Sequence, residues 1–196
     1  MISMPVGLPG LLAFGLGLAL FLIALLAARQ RATVPAVSGG KRDARSIPWI
    51  ILQGVGIFIA GFGPINRTLD FWSARALIDG AVVLLLMLAA VALFHWSSRA
   101  MGRNWALVAR TRGDGTLVTT GPFALVRNPI YVALALFMLA MAIAYGHFLQ
   151  LVLAVPVYGF ATYMRVMSEE RVLHATFGAA YDAYRARVKR FVPGLF

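Results

Sequence analysis

The sequence predicts an all-α integral membrane protein: five transmembrane helices, the last two joined as a tight helical hairpin, then a cytoplasmic amphipathic C-terminal helix. Three observations predict it. Hydrophobic residues make up 61% of the 196 positions and charged residues only 13%, against roughly 45–50% and about 25% in soluble domains. The apolar residues fall into five long runs. The 18 Lys and Arg, which outnumber the 7 Asp and Glu, collect between those runs. A globule of this size has no interior large enough for so much apolar surface, so a soluble fold is excluded and residues 1–196 are read as a single membrane domain.

The first run, Leu8 to Ala28, is about as long as a bilayer core requires. No basic residue precedes it and Arg29 and Arg31 follow, which suits a retained span rather than a cleaved signal peptide. Residues 29–47 form a polar linker with Arg29, Arg31, Lys41, Arg42, Arg45 and a flexible Ser38-Gly39-Gly40. The second span runs from Pro48 to Ile65 and carries Gly54, Gly56, Gly61 and Gly63. Its Gly-x-Gly pairs follow no strand, so they read as small residues for close helix packing, not as a dinucleotide fingerprint. The third span, Arg75 to Trp96, starts with Arg75 and Asp79 four residues apart, the spacing of a structural ion pair.

Residues 98–128 are the longest polar stretch, with Arg99, Arg103, Arg110, Arg112 and Arg127, and Arg112-Gly113-Asp114-Gly115 reads as a tight turn. The fourth and fifth spans, Pro129 to Tyr145 and Phe148 to Met167, are separated only by Gly146 and His147. The remainder is polar and basic and is predicted to be helical as far as Arg190. Within it Phe177, Tyr181, Tyr184, Val188 and Phe191 recur at steps of four and three, one apolar stripe of an interfacial helix.

This arrangement places sixteen of the 18 Lys and Arg on one face and only Arg67 and Arg75 on the other. Basic residues collect on the cytoplasmic side, so the N-terminus is expected outside and the C-terminus inside. Topology absorbs the excess charge, and no nucleic-acid partner is implied. With no Cys, disulfides and thiolate chemistry are excluded. The three His (His95, His147, His174) lack metal-ligand spacing, and no metal site is expected.

Polar groups next to a membrane are costly, so they mark candidate chemistry. Gly121-Pro122 imposes a turn, and Asn128-Pro129 starts a helix directly after Arg127, offering free backbone N–H groups beside a fixed cation. At the end of the fifth span, Arg165 and Glu169 share a helical face, while Glu170 points about 100° away. These carboxylates are the only adjacent acidic pair in the chain.

From about Gly102 to Pro193 the chain resembles the isoprenylcysteine carboxyl methyltransferase-like family of membrane methyltransferases, to which phospholipid N-methyltransferases are related. The resemblance rests on Arg127-Asn128-Pro129-Ile130-Tyr131, a hydrophobic hairpin, Glu169-Glu170, Phe177-Gly178, Tyr181, Tyr184, Arg190 and Pro193. Gly102-Arg103-Asn104-Trp105 and the run from Leu117 to Phe123 also look like family elements. Asn128 stands where the family usually has His; Asn hydrogen-bonds but carries no proton at neutral pH.

The resemblance implies S-adenosylmethionine as cofactor, held by residues 98–196, behind three N-terminal spans in residues 1–97. Leu117, Val118, Thr120, Gly121, Phe123, Arg127, Asn128, Tyr131, Glu170 and Tyr181 would hold it, and Arg165 and Glu169 would act nearer the substrate as catalytic residues. The expected partners are membrane lipids and a lipophilic acceptor bearing a carboxylate, amine or thiol, and the expected location is a bacterial inner membrane. Two other readings stay open: an NADPH-dependent reductase resembling sterol reductases, and a non-catalytic membrane scaffold.

Overall fold

In the computed structural model, residues 3–32, 46–105 and 116–195 are described. Ser38–Gly40, Lys41, Arg42, Arg45, Arg110 and the expected turn at 112–115 lie outside them. The described residues form six α-helices and no strand. These are α1 (Leu8–Ala32), α2 (Ile47–Gly61), α3 (Ala74–Met101), α4 (Pro129–Tyr145), α5 (Leu151–Phe177) and α6 (Ala179–Arg187).

Each of the five apolar runs becomes a helix. Three of these, α1 with 25 residues, α3 with 28 and α5 with 27, are long and apolar enough to cross a membrane. The other two are shorter apolar helices, 15 residues in α2 and 17 in α4. At about 1.5 Å per residue they rise roughly 22–26 Å, short of a hydrocarbon core of roughly 30 Å. Large apolar side chains such as Leu12, Ile23, Ile51, Phe58, Leu85 and Val152 are more than half exposed on the bundle's outside. Water would penalise that surface and lipid does not, which is the signature of a membrane protein.

Local chemistry sets the helix ends. Ser73 caps α3, its hydroxyl accepting from the Ala76 backbone N–H at 3.3 Å. Proline occupies the first turn of α2 and of α4, where its missing N–H costs nothing. The fifth helix runs ten residues past the expected span end at Met167 and stops at Phe177. Gly178 then adopts φ +49°, a conformation strained for any residue with a Cβ, and the chain restarts as α6. The continuous helix expected up to Arg190 is therefore corrected to two helices, the second ending at Arg187.

Packing orders the helices differently from the sequence. Helix α1 lies along α3, with Phe21 against Phe94, and α3 lies along α4. Helix α2 lies along α5 and also touches α4. The connection between α4 and α5 is short, as expected, and the two helices meet chiefly through side chains, while the backbone of α5 lies closest to α2.

The glycines of α2 have separate fates. A Cβ on Gly56 would stand 2.8 Å from the Tyr158 backbone nitrogen, so this glycine lets α2 reach α5. Gly54 faces open space, with nothing within 4 Å of a Cβ built there, and Gly63 lies beyond the helix end. Gly56→Leu is expected to wedge α2 away from α5 and destabilise the protein by about 1–3 kcal/mol or more. Gly54→Ala is expected to be neutral or to stabilise by up to about 1 kcal/mol through helix propensity. Thermal unfolding of both variants in detergent checks the contrast.

Candidate functional site

The polar residues singled out in the sequence converge where α4 begins, α5 ends and the chain leaves α6. After Arg187 the backbone is extended and runs beside the segment preceding α4, with a parallel bridge between Val126 and Lys189. The Arg127 backbone N–H donates to the Lys189 carbonyl at 2.8 Å, and that of Asn128 donates to the Arg190 carbonyl at 3.1 Å. The Asn128 side-chain amide donates to the same Arg190 carbonyl at 3.3 Å. Pairing with another strand-like segment, not solvent, ends the helical run here.

Glu170 is the hub. Its Oε1 accepts from Arg127 Nη2 at 2.7 Å and from Arg190 Nε at 3.1 Å, and its Oε2 accepts from Arg190 Nη2 at 2.8 Å. The side chains of Arg127 and Glu170 are only 10% and 12% exposed, so this is a nearly buried, charge-assisted contact. Arg127 also donates through Nη1 to the carbonyls of Arg185, at 3.2 Å, and Val188, satisfying the C-terminal end of α6. The cation expected to receive an external anion thus already holds an internal one. Glu170 keeps Arg190 protonated to higher pH than usual, through the hydrogen bonds it accepts.

Glu169 belongs to a second network, as the turn of about 100° between adjacent helical residues requires. Its Oε1 accepts from the Tyr131 hydroxyl at 2.5 Å and from Arg165 Nε at 3.2 Å. The Arg165 guanidinium lies over the Tyr131 ring, 5.0 Å from its centroid, and donates through Nη1 to Gln53 Oε1 at 3.0 Å. Gln53 in turn donates to Thr162 Oγ1 at 2.7 Å, and the Tyr158 hydroxyl donates to the Tyr131 carbonyl at 2.7 Å. Gln53, Tyr158 and Thr162 were missed in the sequence. The one available signal was Gln53 itself, an amide inside an otherwise apolar run.

The C-terminal aromatic stripe is divided. Phe177 ends α5, Tyr181 and Tyr184 on α6 are buried, and Val188 and Phe191 lie beyond that helix. The two tyrosines thus pack inward instead of anchoring in lipid; the Tyr184 hydroxyl donates to the Phe123 carbonyl at 2.7 Å. Burial, reinforced by the nearby Glu170 carboxylate, pushes the Tyr181 phenol up to about 12. Burial likewise raises Tyr184.

A cleft of about 310 Å³ opens above the hub, lined by Arg127, Glu170, Arg185, Lys189, Arg190 and Leu195. Of the residues expected to hold the cofactor, Arg127 and Glu170 line it. Tyr181 lies buried close to both, and Tyr131 is buried in the neighbouring network. Asn128 lies at the edge, holding the Arg190 carbonyl. Leu117 and Val118 are half-buried and Thr120 is exposed, while Gly121 and Phe123 form a 3-10 turn over Gly121–Ala124 whose Phe123 is the contact for Tyr184. Arg75 and Asp79 form the expected pair at 3.7 Å, away from this site.

The family model for phospholipid methyltransferase matches residues 78–180, more than half of the chain. The chain belongs to the phospholipid methyltransferase family. The match runs from α3 to the start of α6 and includes Arg127, Asn128, Tyr131, Arg165 and both carboxylates. The membrane methyltransferase kinship expected from those residues therefore holds, whereas α2 and the segment after Ala180 lie outside the match. No curated protein matches the chain.

Glu170→Gln in this methyltransferase family member is expected to leave Arg127 and Arg190 without their shared anion. Removing one partner of a buried pair typically costs about 3–5 kcal/mol. The segment from Arg185 to Arg190 should then be cut by trypsin much faster than in wild type, which timed proteolysis reads. Tyr181 adds an alkaline limit. Its phenol is held neutral in the folded state, so its stabilising contribution is complete below pH 10 and lost as pH rises toward about 12. Tyr181→Phe should blunt that loss in a pH series of melting temperatures.

Proposed function

We propose that the protein transfers a methyl group from S-adenosylmethionine to a lipophilic acceptor at the cytoplasmic face of a bacterial inner membrane. In this reading the five apolar helices cross as five spans, with the N-terminus outside and the acceptor approaching from lipid. The observation that carries it is the convergence of Arg127, Arg165, Glu169 and Glu170, all within the family-matched segment, on one end of the bundle beside a cleft.

The cleft fits the cofactor's chemistry. Its volume, about 310 Å³, lies at the lower end of the roughly 300–1,000 Å³ usual for small-molecule sites. Its cationic lining suits a carboxylate, and the Glu170 carboxylate is available to polar groups at its wall. When bound, the cofactor supplies a methyl group already activated on a sulfonium. For a carboxylate acceptor, already ionised at neutral pH, the protein's work is then alignment and exclusion of water, which can contribute several kcal/mol without a titrating base. Arg127, Glu170 and Arg190 hold the cleft wall. Tyr131 and Arg165 hold the Glu169 carboxylate in one orientation. Asn128 uses its amide only to hold the Arg190 carbonyl, a task that needs no proton exchange, so Asn in place of His is compatible with activity.

The test is ligand stabilisation of the protein in detergent, followed by incorporation of labelled methyl groups into membrane extracts. S-adenosylhomocysteine should raise the melting temperature, NADPH should not, and label should enter a lipophilic fraction. Stabilisation by NADPH alone would instead establish a reductase, and stabilisation by neither a scaffold. Arg165→Ala should lower turnover about tenfold or more while changing cofactor affinity less than about twofold, the pattern of a group acting on alignment of the reaction. Wild-type turnover in that variant removes Arg165 from the site.

A further inference from the structure

The family match begins at residue 78, yet the site has a wall that precedes it in sequence. That wall is α2, and its contribution is Gln53, 3% exposed on the face turned to α5. Both ends of its amide are used across the helix interface. Oε1 accepts from Arg165 Nη1 at 3.0 Å and Nε2 donates to Thr162 Oγ1 at 2.7 Å. Thr162 and Arg165 are three residues apart, so they present neighbouring groups on one face of α5. A primary amide with one acceptor end and one donor end matches that pair in a single orientation: the carbonyl must meet the cation and the NH2 must meet the hydroxyl.

Arg165 is itself 6% exposed, and its contacts include Glu169 along its own helix, the Tyr131 ring from α4, and Gln53 from α2. Glu169 and Tyr131 are hydrogen-bonded to each other, whereas Gln53 reaches Arg165 from a different helix. Without it, Nη1 loses a neutral acceptor in a low-dielectric setting, where each hydrogen bond to the guanidinium counts for more than in water. The guanidinium would then rotate toward Glu169 and alter the one carboxylate orientation that Tyr131 also reads.

We infer that Gln53 is a positioning residue for the methyl-transfer site: it sets the orientation of Arg165, and through it that of Glu169, from a helix outside the family-matched segment. The inference rests on the proposed methyltransferase reading. It follows that α2 is part of the site and not only a membrane anchor, and that changes on its α5-facing side tune turnover.

The test uses the full chain in detergent and compares Gln53→Leu, which removes both polar ends at similar volume, with Gln53→Glu, which keeps the acceptor for Arg165. Turnover and cofactor affinity are measured separately, with Gly54→Ala on the open side of the same helix as control. Gln53→Leu should lower turnover about tenfold with cofactor affinity within about twofold, the split expected of an alignment defect. Gln53→Glu should recover at least half of the lost turnover. Wild-type turnover in Gln53→Leu, or an equal loss in both variants, overturns the inference. If Gln53→Leu does not fold, Thr162→Val, which removes the group that orients the amide, should give an intermediate loss, and wild-type turnover there overturns it as well. If the wild-type protein neither binds S-adenosylhomocysteine nor transfers methyl groups, the methyltransferase reading fails separately. The hold on Arg165 is then read from a stability cycle of Gln53→Leu and Arg165→Met, in which additive effects overturn it and non-additive ones sustain it.

Discussion

The Glu170 carboxylate, shared between Arg127 and Arg190, is the contact on which the candidate site depends. It joins three segments of the chain: the turn before α4, the end of α5 and the extended segment after α6. A carboxylate that is nearly out of water needs cations, and each cation is in turn tied to one of the other segments. Arg127 reaches on to the carbonyls that end α6, and the backbone at Arg190 receives the Asn128 N–H. The cleft exists because this arrangement folds the C-terminal segment back over the bundle. The energetic weight of the pair lies in what happens when one member is removed, because the others stay buried without compensation.

Beside it, a second charge is managed in another way. An ionised side chain at the centre of a span costs roughly 2.5–3.5 kcal/mol on insertion scales. Arg165 lies toward the end of its apolar run, and its charge is met by a carboxylate, an aromatic face and a primary amide. The helical twist makes the two networks separate yet adjacent: consecutive residues Glu169 and Glu170 leave α5 in directions about 100° apart. One carboxylate lines the cleft and the other belongs to the network of Tyr131 and Arg165, so two distinct polar arrangements adjoin at a single helix end. For methyl transfer, in which geometry counts for more than proton movement, rigid networks of this kind are what the chemistry asks of the protein.

Much of this was legible before any coordinates. Five apolar runs became five apolar helices, because length and hydropathy alone determine whether a segment can lie in lipid. Arg165 and Glu169 paired as their spacing requires, and Arg75 and Asp79 did the same at the other end. The C-terminal helix is interrupted at Gly178 and ends at Arg187 instead of Arg190, for a physical reason. The periodicity of Phe177, Tyr181 and Tyr184 suits a helix throughout, yet Gly178 turns the chain and the edge before α4 offers backbone partners that a helix would forgo. The two tyrosines look alike in an interfacial stripe and in a buried seam, since both environments reward an aromatic ring with a polar tip. Gln53 stood in plain view as a lone amide, but nothing local to it says which helix it faces.

By itself, the sequence determined that the chain is a membrane protein of apolar helices, and it singled out the carboxylate pair at which chemistry would be sought. Composition and the period of 3.6 residues are local properties, and these conclusions need nothing else. Tertiary structure alone decided that α2 would pack along α5 and also reach α4. It also decided that Arg127 would be taken by Glu170 before any ligand arrives, and that the C-terminal segment would end its helix to pair beside α4. Each of these depends on which distant groups meet once helices pack. A buried charge or amide accepts whichever partner the packing brings within hydrogen-bond reach, and residue spacing along the chain carries no record of that choice.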